Sequence, residues 1–119
     1  MYVYSAVVKR IVDGDTFDLE VDLGFNIKNC QRFRLIGIDT AETWRPKTKE
    51  EKQHGEFATA RVRQLMPEGS TVVIKSEKDA GIYNRYSAVV RLVDGRDLAK
   101  VLVEEGFSKR EEYGTVAPA

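Results

Sequence analysis

At 119 residues, 42% hydrophobic and 32% charged, the chain has the size and balance of one soluble globular domain and is too short for two. Nineteen basic residues match nineteen acidic ones. That argues against a basic nucleic-acid packager, although local charge and bound cations matter more at a phosphate site than the sum. Cys30 has no disulfide partner in the chain, and with His54 as the one histidine a zinc centre or a histidine-based hydrolase lacks side chains. The remaining chemistry falls to carboxylates, which favour hard cations with oxygen ligands. No apolar run approaches the span of a bilayer, and no basic start precedes an apolar stretch at the N-terminus. The expectation is therefore a monomer without a membrane partner or export signal, either cytoplasmic or a mature secreted form.

Residues 5–12 read as a strand ending in the Asp13-Gly14 turn, a strong hairpin signature. The strand over 15–22 alternates, with Phe17, Leu19 and Val21 on one face and Asp18, Glu20 and Asp22 on the other. A polar connection over 24–29 leads to a third strand over 31–38 carrying Phe33, Leu35, Ile36 and Ile38. Residues 43–53 are a charged stretch running into a helix over 50–66. There Ala58, Val62, Leu65 and Met66 recur at helical spacing until Pro67-Glu68-Gly69 stops them. Short strands follow over 71–75 and 86–93, the latter ending at Asp94-Gly95. Asp97 then caps a second helix that buries Leu98, Val101 and Leu102 and stops at Gly106. Five short strands with a helix between the third and fourth is the order of a five-stranded OB-fold β-barrel, an α+β fold with two helices. One domain over 1–112 and a loose tail over 113–119 are expected. The echo between Arg10-Ile11-Val12-Asp13-Gly14 and Arg91-Leu92-Val93-Asp94-Gly95 reads as two uses of one turn.

Chemistry concentrates in two acidic segments and two arginines. Asp13-Gly14-Asp15-Thr16 sets two carboxylates around a glycine on a hairpin, where both can aim at one point. By itself such a sequence is more often a solvated turn. An EF-hand beginning at Asp13 fails, because Phe17 and Asp18 stand where an oxygen ligand and the required glycine belong. In Phe33-Arg34-Leu35-Ile36-Gly37-Ile38-Asp39-Thr40-Ala41-Glu42 a mostly apolar strand with an arginine runs directly into two acids. Ordinary charge at a strand end explains it equally well on its own. Strict alternation puts Arg34 and Asp39 on opposite faces, so a shared site requires the strand to bend or end near Gly37. Tyr83-Asn84-Arg85-Tyr86 sets an arginine between aromatics, and alone it reads first as a packed aromatic pair with a solvated cation. The stretch Trp44-Arg45-Pro46-Lys47-Thr48-Lys49 offers cations and an aromatic to nucleic acid, or is simply a solvated loop.

In order and spacing these segments resemble the staphylococcal nuclease family, also called thermonucleases, over residues 7–109. The match includes Leu102-Val103-Glu104-Glu105-Gly106-Phe107-Ser108-Lys109 at the end of the second helix. The resemblance implies an OB-fold barrel holding a single Ca2+. Asp15 and Asp39 would supply carboxylate oxygens and Thr40 its backbone carbonyl, with Asp13 behind them. Glu42 is the implied general base, and Arg34 and Arg85 are implied to grip the scissile phosphate. DNA and RNA are the implied substrates, cut at the 5′-oxygen side to leave 3′-phosphate ends, with Tyr83 or Tyr113 stacking on a base. Three departures stand out. Ala41 occupies a position where many members have proline, and Ile82 one where the best-known members carry a basic residue. The chain also stops near where the family's third helix would begin, so either a minimal member or a member in which that helix is dispensable is expected.

These residues make chemical sense without the family. A hard cation held by carboxylates can polarise both a water and a phosphate oxygen. A nearby glutamate can take the water's proton, and guanidinium groups offer paired, permanently charged donors to phosphate. The alternative class is a catalytically inactive OB-fold module that binds nucleic acid or protein. The joint presence of Asp15, Asp39, Glu42, Arg34 and Arg85 argues for activity. A calcium-binding interaction protein would leave the arginines without a role.

Overall fold

Alternation of apolar and polar residues shapes the first half of the chain. The computed structural model describes residues 2–38, 49–78 and 86–108. Within them β1 (Tyr2–Asp13) and β2 (Thr16–Asp22) form an antiparallel hairpin that turns at Gly14 and Asp15. Ala6, Val8 and Ile11 of β1 and Phe17, Leu19 and Val21 of β2 are buried, while Asp18 and Glu20 stand on the outer face. There Asp18 accepts a two-point bond from Arg32 at 2.8 and 3.1 Å, and Glu20 lies 3.6 Å from Lys9 and 3.8 Å from Lys28. The β1–β2 register shifts twice, between Val8 and Arg10 and between Ile11 and Asp13. Such bulges add the twist and bend that a small barrel needs.

β3 (Lys28–Leu35), β4 (Thr71–Lys78) and β5 (Tyr86–Arg91) complete the wall. The strands close into a barrel in the order β1-β2-β3-β5-β4, with β4 paired back onto β1. The β3–β5 pair is parallel and the others are antiparallel. With α1 (Lys49–Leu65) between β3 and β4, this is the OB-fold that the element order predicts. α1 buries Ala58 and Val62 and, just past its end, Met66. The turn that follows is tied to β1: Gly69 N–H donates to Val8 O at 2.7 Å, and Val8 N–H donates to Ser70 O at 2.9 Å.

α2 (Leu98–Glu104) adds Leu98 and Leu102 to the core. Its caps follow the sequence reading. Asp97 accepts from the Lys100 N–H at 3.3 Å, and Gly106 takes φ +84°. The Phe107 N–H then reaches Leu102 O at 2.9 Å, which closes the helix end with paired carbonyls. Arg61 of α1 holds Glu105 with two bonds of 2.6 and 2.8 Å, fixing one helix against the end of the other. Among the described residues no helix is long and apolar enough to cross a membrane.

Candidate active site at the β1–β2 hairpin tip

Strand pairing brings the 13–16 tip, the end of β3 and the start of β5 side by side. Thr16 is level with Arg34, and Arg34 is level with Ser87 of β5. Phe33 and Leu35 are buried in the barrel, so alternation turns Arg34 to the outer face, where it is half-buried. The Leu35 N–H donates to the carbonyl of Asp15 at 2.7 Å, tying the tip to the last residue of β3. Asp15 is half-buried and its Oδ1 accepts from the Thr16 hydroxyl at 3.1 Å, while Gly14 between the two carboxylates is buried.

Beyond Leu35 the chain leaves the sheet. The Ile36 N–H still donates to Ala88 O at 2.8 Å. Gly37 then adopts φ +101°, a conformation that glycine takes without steric cost. A Cβ there would stand 3.2 Å from the Cβ of Ala99 on α2. The strand therefore ends near Gly37, as the expectation of a shared site required, and Ile38, 8% exposed, packs into the core. The expected third strand over 31–38 is corrected at both ends. Lys28, Asn29 and Cys30 already pair with Asp22, Val21 and Glu20, through backbone bonds that side-chain polarity does not reveal. At the other end, Gly37 turns the chain out two residues after β3 stops.

Of the expected site residues, Asp13, Asp15 and Arg34 come together at this end of the wall. Lys49 is the exposed first residue of α1. Asp39, Thr40, Glu42, Lys47, Tyr83, Arg85 and Tyr113 lie outside the described residues. Tyr86, which follows Arg85 in the chain, is level with Phe33.

The donor chemistry at the tip suits a hard divalent cation, since Asp13 and Asp15 offer only oxygen. The softer ligands are engaged elsewhere. His54 lies 3.1 Å from Gly106 O through Nε2 and stacks on Phe107, and Cys30 Sγ lies 3.7 Å from Glu20. Among the described residues no three His, Cys, Asp or Glu side chains group together. Two of the three expected ligands, Asp39 and Thr40, belong to the segment outside them.

Three polar residues that motif reading passes over are buried: Glu51, 1% exposed, Thr59, 5% exposed, and Ser87, 9% exposed. Glu51 belongs to the buried helical stripe Glu51, Gly55, Ala58, Thr59 and Val62, so its spacing carried a signal that a search for apolar residues alone misses. Ser87 sits beside Arg34 across the β3–β5 seam, and nothing in its local sequence marks it.

Residues 32–117 match a protein-family profile described as "Staphylococcal nuclease homologue". A thermonuclease from Staphylococcus intermedius is 30% identical over 109 residues, covering 92% of this chain and 61% of the relative. The chain thus spans less than two thirds of that relative's length.

Proposed function

Because the chain belongs to the staphylococcal nuclease family, we propose that it is a calcium-dependent nuclease. In this reading it hydrolyses phosphodiesters of DNA and RNA at the 5′-oxygen side and leaves 3′-phosphate ends. The observation that carries the reading is the placement of Arg34 beside the Asp13-Gly14-Asp15-Thr16 tip, with the chain turning at Gly37 toward Asp39. Carboxylates and a phosphate-binding cation at one spot are what this chemistry needs.

Asp15, Asp39 and the Thr40 carbonyl would hold Ca2+, which when bound would polarise the attacking water and a phosphate oxygen. Asp13 supports Asp15 across the turn. Arg34 and Arg85 bind the scissile phosphate and spread the charge that builds on its oxygens as the water adds. Glu42 accepts the proton released by that water. The bond from phosphorus to the 5′ oxygen then breaks, and the leaving oxygen takes up a proton. The half-buried outer-face position of Arg34 strengthens its pull on phosphate, because nearby low-dielectric wall screens charge less than water does.

The test is incubation with single- and double-stranded DNA and RNA, first with calcium and then with chelator. Cleavage with calcium and none with chelator is the expected result. Retained binding without cleavage under any divalent metal would point instead to the inactive OB-fold module.

A further inference from the structure

β5 joins β3 only at Phe33, Arg34 and Leu35, so the first residues of β3 pair with β2 alone among the described strands. Where the two strands part, the barrel wall opens into a cleft of about 170 Å³, lined in part by Tyr4, Asn29, Gln31, Phe33, Ser76 and Tyr86. None of the described lining residues is charged. The rings of Phe33 and Tyr86 stand 5.9 Å apart and tilted by 51°, and Tyr4 and Tyr86 are half-buried with surface still open. At the rim Gln31 Nε2 donates to Asn29 Oδ1 at 2.8 Å, so the Gln31 oxygen and the Asn29 N–H groups present an acceptor and donors side by side.

Aromatic walls, a paired amide rim and no charge suit a flat, neutral, hydrogen-bonding ring better than a phosphate. The chain's own order says what would bring such a ring here. Phe33 immediately precedes Arg34, and Tyr86 immediately follows Arg85, the two cations assigned above to the scissile phosphate. Alternation then gives one strand two tasks, with Arg34 facing outward and Phe33 facing into the cleft. Arg34 and Gln31 are about 10 Å apart along β3 at the ordinary strand rise, so a strand held at the arginines has a neighbouring base within reach of the cleft.

We propose that this cleft at the mouth of the barrel is a base-binding subsite for a nucleotide flanking the scissile phosphate. The inference rests on the nuclease reading. A base must be unpaired to enter, so the cleft favours single strands over duplex. Stacking on ring faces is tolerant of sequence, so it does so without selecting one base.

The experiment measures KM for calcium-dependent cleavage of a labelled single-stranded oligothymidylate, alongside copies with one abasic position stepped through the chain. One abasic position near the cut is expected to raise KM about tenfold, the size of one lost stacking contact. Gln31→Ala, Tyr86→Leu and Ser76→Phe, which fills the cleft, should each raise KM for the intact strand and flatten the abasic effect. Tyr86→Phe keeps the ring and should keep KM. Thermal melting separates these effects from misfolding, and Gln31 and Ser76 are only half-buried, so at least those variants should stay folded. Unchanged KM in folded Gln31→Ala and Ser76→Phe overturns the subsite and leaves the nuclease reading intact. If the unaltered protein cleaves nothing, the nuclease reading falls, and fluorescence anisotropy of the same strand decides the cleft. Binding weakened by Ser76→Phe supports it, and absence of binding overturns it.

Discussion

Gly37→Ala tests the turn that the proposed reading needs if both acidic segments are to serve one site. The backbone there has φ +101°, and holding alanine in left-handed backbone costs about 1–2 kcal/mol. The new methyl would stand 3.2 Å from the Cβ of Ala99, which is buried at 6% exposure, and relieving such overpacking costs about 1–3 kcal/mol. Alanine also stiffens the unfolded chain, which returns about 0.4–1 kcal/mol. The net expectation is a loss of about 2–3 kcal/mol, a large fraction of the stability of a single domain. Urea denaturation followed by circular dichroism should show the midpoint falling by about 1–2 M with an unchanged slope. Adding Ala99→Gly removes the methyl contact, so the double variant should lose less than the sum of the two single losses. A loss below about 0.5 kcal/mol for Gly37→Ala would refute the strain argument, since backbone strain and overpacking together would then barely exceed the roughly 0.4–1 kcal/mol that a stiffer unfolded chain returns. Strict additivity in the double variant would refute the contact. In the functional reading, cleavage by Gly37→Ala should fall even where the protein remains folded, because Asp39, the proposed ligand, follows the turn by two residues in the chain.

Arg34→Ala, which removes a donor to the phosphate, and Glu42→Gln, which removes the proposed base, are each expected to slow cleavage by about 100-fold or more, while thermal melting stays near the parent's. Near-normal rates in both would sink the mechanism while leaving the fold assignment in place. Asp97→Ala removes the side-chain cap of α2 and should cost about 1 kcal/mol in chemical denaturation; no loss would mean that the cap is replaced by solvent. Hydrogen bonding from Arg32 is the main cause holding Asp18 below the usual carboxylate range, opposed by partial burial and aided by the charges of Arg32 and Arg10. A depressed folded-state value means that the pair stabilises above the unfolded carboxylate pKa and loses that contribution as pH falls through the folded one. Because both side chains are substantially exposed, the contribution is screened and stays under about 1 kcal/mol. Arg32→Ala should therefore lower stability near neutrality by that small amount and converge with the parent in strong acid. A gap that widened toward acid would reverse the sign.

How much was legible in the sequence depended on what carries each element. The β1–β2 hairpin was plain, because Phe17, Leu19 and Val21 alternate with acids and Asp13-Gly14 marks the turn. Both caps of α2 were readable from Asp97 and Gly106, residues whose chemistry acts within one turn of helix. The start of β3 was hidden, since Lys28, Asn29 and Cys30 enter the sheet through backbone pairing with β2. Its end was anticipated only as a requirement that the strand bend or stop near Gly37, and the structure meets it two residues past Leu35. The same limit applied to the site. Asp13, Asp15 and Arg34 stood out as charged residues in marked positions. The neighbour relations of Arg34 with Thr16 and Ser87 come from barrel closure, which no local pattern encodes.

The parallel β3–β5 seam also has a kinetic side. Local hairpins such as β1–β2 can form early, because little chain entropy is lost in closing them. The seam joins strands separated by all of α1 and β4, and Arg34 meets Ser87 only once it closes. A chain that is still folding, or one whose barrel has begun to open, keeps its acidic residues but has not set Arg34 beside Ser87, so the phosphate site of the proposed reading would be unassembled. Refolding followed by strand cleavage should accordingly lag behind recovery of the far-ultraviolet β signal, and simultaneous recovery would contradict the idea. In the nuclease reading, a potentially destructive activity would in that way depend on a long-range seam, so a copy in which the seam is open would stay harmless to the nucleic acid around it.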